Sequence, residues 1–159
     1  MLEFFIPTNR TDKRGNPAPL DGLNELVAAE RAHYGPSLKR RNGRHAEASC
    51  IYAMRANGWT CPKSKCLVTL TFVEPHDKRD PDNVLGGAKF ILDGIIKPKG
   101  RKEYGAGAIE DDSQKWIVLK FGEILIDSEN PGCWVRIEEI DEEGENDALG
   151  VQEPTGGRD

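Results

Sequence analysis

Arg79-Asp80-Pro81-Asp82-Asn83 places two carboxylates on either side of a proline, and Glu110-Asp111-Asp112 adds a second acidic cluster downstream. A residue before proline is pushed out of the α region into extended backbone, so Asp80 is expected to be extended. In an extended segment residues i and i+2 point to the same side. Asp80 and Asp82 would then aim their carboxylates into one space, with backbones roughly 6–7 Å apart. Two such groups left together repel, and one would have to take up a proton. A hard divalent cation removes the conflict. Mg²⁺ prefers oxygen ligands, takes one or two carboxylates, and keeps water or substrate phosphate on its other positions.

The elements around these residues can be read from their patterning. Leu67 to Val73 is rich in apolar and β-branched residues, with Val68, Leu70 and Phe72 on one face, and predicts a strand leading into the acidic motif. From Asp82 to Ile96 the period turns helical. Val84, Leu85, Ala88, Leu92, Ile95 and Ile96 make a core-facing stripe, with Asp82, Gly86, Lys89 and Asp93 opposite. Asp82 or Asn83 is a natural cap for that helix. Gly86-Gly87 would let a ligand's backbone come close. Residues 97–108 are a Gly- and Lys-rich loop.

Elsewhere, residues 2–6 predict a strand and residues 7–20 a loop. A helix is expected from an Asp21-Gly22 cap to about His33, ended by Gly35-Pro36. A second helix is expected over Ser37–Ala56, weakened in its first half by Gly43 and closed by Asn57-Gly58. Trp116 to Phe121, extending toward Ile126, and Cys133 to Glu138 predict two strands joined as an antiparallel hairpin. The fold class expected is α/β (α+β): one domain over 1–140, a small mixed sheet with helices packed on it. From Asp141 to Asp159 the sequence lacks apolar periodicity and predicts a disordered acidic tail.

The chain has 159 residues and a formal charge of −5. Residues 138–159 hold nine acids and one base, whereas residues 1–137 hold 18 acids and 21 bases, a net of +3. An acidic tail behind a mildly basic body does not exclude a nucleic-acid partner. No apolar run approaches the length of a membrane span, and the start lacks the basic region of a signal peptide, so a cytoplasmic protein is expected. Cys50, Cys61, Cys66 and Cys133 form no CxxC pair and lack histidines at finger spacing, which leaves reduced structural cysteines. His33, His45 and His76 are scattered. Trp59, Trp116 and Trp134 read as core or interface residues.

Arg79-Asp80-Pro81-Asp82-Asn83, then Lys89-Phe90-Ile91-Leu92-Asp93-Gly94-Ile95, then Asp111-Asp112-Ser113-Gln114, resembles the signature of the RusA family of Holliday-junction resolvases. The likeness is dense over residues 74–117. It implies a Mg²⁺-dependent endonuclease, with Mn²⁺ as a substitute, acting as a homodimer on four-way DNA junctions in a bacterial host, with a phage or prophage origin. The family's catalytic aspartates match Asp80, Asp82 and Asp112. Its lysine matches Lys89 if three residues are inserted after Asn83; without the insertion Gly86 would take that place.

The chemistry agrees with the resemblance. Phosphodiester hydrolysis needs an activated water, a neutralised phosphate and a stabilised leaving oxygen, and two divalent ions about 3.5–4 Å apart supply all three. Asp80, Asp82 and Asp112 would be ligands, with Asp111 as a supporting or alternative one. Lys89, leaning back toward Asp82 along the helix, would steady charge at the phosphate. DNA contacts are expected from Arg79, from Lys39, Arg40, Arg41 and Arg44, and from Lys97, Lys99, Arg101 and Lys102. Blander readings stand beside these: a helix cap at Asp82-Asn83, a turn at Asp111-Asp112, a Lys89–Asp93 surface pair, solvated basic faces. The alternatives in function are a junction-binding phage protein without cleavage, and a metal-dependent nuclease on flaps or other branched DNA.

Overall fold

The computed structural model describes residues 1–141 and 147–150. Its elements are β1 (Leu2–Pro7), α1 (Leu23–Arg31), α2 (Gly35–Asn57), β2 (Cys66–Glu74), α3 (Pro81–Leu85), α4 (Ala88–Ile95), β3 (Ile117–Phe121), β4 (Leu125–Ile126) and β5 (Gly132–Glu139). The architecture is α+β, as expected: one mixed sheet in the order β1-β5-β2-β3, with β4 also on β2.

Alternation builds the sheet. Leu2, Phe4 and Ile6 of β1, Val68, Leu70 and Phe72 of β2, and Cys133, Val135 and Ile137 of β5 all point into one core. The helices cover that face through Ala46, Cys50, Val84, Ala88, Ile91 and Ile95. β5 runs antiparallel to both β1 and β2, so Val135 faces Phe4 on one side and Leu70 on the other.

The expected hairpin of the last two strands is corrected. β3 pairs parallel with β2, and β5 enters between β1 and β2. The reason is burial: Cys133, Val135 and Ile137 are fully enclosed and need strands on both sides, whereas β3 ends in exposed Lys120 and Phe121, as an edge should. Parallel pairing of β2 and β3 requires a crossover, and α3–α4 supply it. The acidic motif therefore sits where the chain leaves the central strand.

Two glycines explain how the helices approach. α2 is continuous through Gly43, despite the cost of glycine in a helix. A Cβ there would lie 2.2 Å from the Tyr104 ring, so Gly43 is the notch that seats Tyr104. A Cβ on Gly94 would lie 2.4 Å from the Gly43 carbonyl oxygen, which brings α4 against α2 backbone to backbone. Gly35-Pro36 begins α2, with proline in the first turn where its missing N–H costs nothing, while α1 has already ended at Arg31, ahead of His33 with φ 63°.

The single helix expected over 82–96 is two, broken at Gly86-Gly87 with both glycines still in right-handed conformation. Cys50, Cys66 and Cys133 are buried free thiols, and burial pushes Cys50 up to about 12 and Cys66 up to about 11. The tail expected over 141–159 falls mostly outside the described residues. Within it 147–149 make a helical turn with Ala148 buried, unlike the disorder expected there. No described helix is long and apolar enough to cross a membrane.

Candidate functional site

Asp80 has the extended backbone that Pro81 imposes, with φ −63° and ψ 142°. Pro81 then opens α3, so Asp82 lies inside the helix and not in an extended segment with Asp80. The same-side argument for the pair is corrected: the two carboxylates sit at, and just within, a helix start. The cap position belongs to Asp80, not to Asp82 or Asn83, and the Asp80 side chain makes no capping bond. Both aspartates are exposed. Neither makes an ion pair or side-chain hydrogen bond among the described residues.

Lys89 Nζ lies 3.2 Å from Asp93 Oδ1, so its side chain runs forward along α4 and not back toward Asp82. Gly86-Gly87 is not an opening for DNA. A Cβ on Gly86 would lie 2.6 Å from the Leu23 side chain, and one on Gly87 would lie 2.8 Å from the Asp21 carbonyl. The pair admits the chain's own α1. No side chain fits at 86 without displacing Leu23, so Lys89 is the lysine this helix can present.

A second acidic group gathers at the C-terminal end of α4. Lys99 Nζ lies 2.7 Å from Asp111 and its hydrogen bond holds that carboxyl down at about 2, while Asp111 raises Lys99 in return. Lys102 donates to the Asp93 carbonyl at 2.7 Å. Burial draws the Lys102 ammonium down, and the nearby Asp93 and Asp112 pull it up. Asp112 itself makes no ion pair among the described residues and lines a cavity with Leu92. Asp82 lies in α3 and Asp93 in the last turn of α4, on the two sides of the Gly86-Gly87 break. Asp112 is grouped with Asp93, both acting on Lys99 and Lys102.

A divalent ion is matched in kind but not in assembly. The donors are carboxylate oxygens, and those of Asp80, Asp82 and Asp112 carry no ion pair among the described residues, which suits a hard ion. Among the described residues, however, no three acidic, His or Cys side chains converge closely enough to hold one.

The two basic stretches, separate in sequence, meet in space. Tyr104, set in the Gly43 notch, joins the 97–104 loop to α2; Lys102 lies 4.9 Å over its ring, and Arg40 pairs with Glu103 at 3.2 Å. Lys39 pairs with Glu30, and Lys97 with Glu110. Arg41 is bound to buried Asp21, which also takes Arg10 and Asn42. Arg44 and Arg101 are exposed and carry no ion pair among the described residues. Arg79 is corrected: only 12% of its side chain is exposed, and Nε and Nη2 grip Glu74 at 2.6 and 2.9 Å. It is turned to its own chain and not outward.

Asp21, expected as a helix cap, is instead the buried centre of that ion network. Glu74, an acid ending an apolar strand five residues before an arginine, has a readable signal for such a pair. Tyr104 carried no such signal, since its partner is Gly43. Compared with family models, curated proteins and solved structures, the chain matches none.

Proposed function

We propose that this protein is a divalent-metal-dependent endonuclease of RusA type, acting as a homodimer on four-way DNA junctions. The observation that carries the reading is the joining of the two basic stretches, through Tyr104 in the Gly43 notch, into one face that runs to Asp111 and Asp112. Phosphate would meet Arg40, Arg44, Lys99, Arg101 and Lys102 along it, contacts that give affinity without sequence preference.

Asp80 and Asp82 are the exposed carboxylates that would hold Mg²⁺ or Mn²⁺, with Asp112 and Asp111 as the second acidic group. The ion supplies charge neutralisation and an acidified water. Lys89 supplies a mobile positive charge. Its exposed pair with Asp93 is of a kind worth only about 0.2–0.5 kcal/mol, so an arriving phosphate can draw the ammonium away at small cost. A twofold would set two such sites on a pseudo-symmetric junction.

The Lys99–Asp111 pair, which engages one carboxylate of the second acidic group, favours a second reading, a junction-binding protein that does not cut. One assay separates them. The protein is incubated with labelled four-way junction, flap and linear duplex, with Mg²⁺, with Mn²⁺ and with neither. Metal-dependent nicking of the junction is expected. Tight binding without nicking in either metal would give the second reading, and preferential flap cutting would move the substrate class.

A further inference from the structure

We propose that Arg79 and Asn83, the outer residues of the Arg79–Asn83 motif, are positioning residues that lock its inner aspartates onto the start of α1, and that neither contacts DNA. This rests on the nuclease reading. The motif divides sharply. Asp80, Pro81 and Asp82 are exposed, whereas Asn83 is buried and Arg79 nearly so.

Arg79 has a partner that needs it. Glu74, the last residue of β2, has 4% of its side chain exposed, and among the described residues the only bonds to its carboxylate are the two from Arg79. Arg79 Nη1 reaches on to Glu25 at 3.3 Å, and the other Glu25 oxygen takes the Gly22 N–H at 3.0 Å. Arg79 therefore ties the end of the central strand to the first turn of α1.

Asn83 makes the complementary tie. Helix starts leave backbone N–H groups unsatisfied, and Gly22, in the cap position of α1, has no side chain to meet them. Asn83 Oδ1 accepts from the Asn24 N–H at 2.8 Å and caps α1 from a distance. Both ties converge on one glycine. A Cβ on Gly22 would lie 2.3 Å from the Asn83 carbonyl, 2.8 Å from Asn83 Oδ1 and 3.0 Å from Arg79 Nη1. Three residues, Asp80, Pro81 and Asp82, are thus slung between two fixed points, and two of them carry carboxylates with no ion pair among the described residues. A misplacement of about 1 Å in a reacting group can cost about 10²-fold in rate, which is the scale on which such a brace acts.

The test compares single-turnover cleavage, junction affinity and its salt slope for wild type, Arg79→Gln, Glu74→Gln, Asn83→Ala and Asn83→Asp. Amide hydrogen exchange at Asn24 is followed in each variant. Glu74 is too deeply buried to reach DNA. Glu74→Gln is expected to cut about tenfold or more slowly, with affinity and salt slope unchanged. Arg79→Gln should behave alike. Asn83→Ala should slow cleavage and speed exchange at Asn24, and Asn83→Asp, which keeps the acceptor oxygen, should recover most of both. If Arg79→Gln weakens binding and lowers the salt slope by about one unit while Glu74→Gln cuts normally, Arg79 is a DNA contact and the proposal falls. Should Arg79→Gln fail to fold, Glu74→Gln and the Asn83 pair decide alone. A wild type that cuts nothing would sink the nuclease reading, yet exchange at Asn24 would still decide the brace: unchanged exchange in Asn83→Ala overturns it.

Discussion

The two ends of the α3–α4 segment carry the same chemical groups in opposite condition. At the start of α3, Asp80 and Asp82 are exposed and, among the described residues, unpaired, on a segment tied down on both sides. At the end of α4, Asp93 and Asp111 each meet a lysine, and Asp112 lies within the field of Lys99 and Lys102. Exposed ion pairs add at most about 1 kcal/mol, so neither arrangement is explained by stability. The first end is tied to α1 and β2 by Arg79 and Asn83 and open in charge. The second is neutralised by side chains that can swing away. A phosphate ester needs both conditions: fixed anions to hold a cation, and mobile cations to meet the phosphate.

Substituting the aspartates one at a time tests whether the ends work together. Asp80→Asn and Asp82→Asn should each lower junction cleavage by at least about 10²-fold, the size of losing one well-aimed electrostatic group, while binding holds or tightens. Asp112→Asn should match them if the ends act as one site. A loss below about tenfold for Asp112→Asn would separate the ends and leave the α3 pair as the whole centre.

Lys89 lies between them. Lys89→Ala should cut turnover by about 10²-fold with little change in junction affinity, since one lysine among many phosphate contacts is a small part of binding. Lys89→Arg should rescue poorly, because a planar guanidinium does not reproduce a compact ammonium. Full activity in Lys89→Ala would leave it as a surface partner of Asp93.

The basic face should show in salt rather than in rate. Neutralising Arg40, Arg44 and Arg101 together should reduce the slope of log affinity against log salt by up to about one unit per lost contact. An unchanged slope would mean a merely solvated face.

The smallest effect concerns the lysine-paired end. The Asp111 carboxyl, held at about 2 by Lys99, contributes stability fully above its ordinary value of 3.8 and loses it as pH falls through about 2. Lys99→Gln should move the Asp111 midpoint, read by NMR titration, upward toward the ordinary value. Stability near neutral pH should barely change. A midpoint that stays put would show that the pair is not formed in solution.

Much of the fold follows from local pattern. The Val68, Leu70 and Phe72 face, the alternation of Cys133, Val135 and Ile137, and the extended Asp80 before Pro81 each depend on neighbours in sequence. What escaped depends on partners far along the chain. Gly43 reads as a weak point until Tyr104 is seen in its notch. Gly86-Gly87 reads as an opening until Leu23 and the Asp21 carbonyl fill it. Arg79 beside two aspartates reads as a DNA contact, because no periodicity reveals that Glu74 lies buried and waiting for a cation. The carboxylates were legible by type and spacing. Their grouping was not, because it depends on where the 97–108 loop returns Asp112.

That loop is fastened twice. The Ile96–Ile109 bridge closes its base, and Tyr104 pins it partway along. A strap held at both points can bear long, supple side chains on a backbone that has little freedom left to lose. Immobilising each such side chain at an interface costs about 0.5–1.5 kcal/mol. Were the loop to grip a polyanion, the ordering penalty would be confined to the tips of Lys97, Lys99, Arg101 and Lys102, the backbone's share having been met when the chain folded.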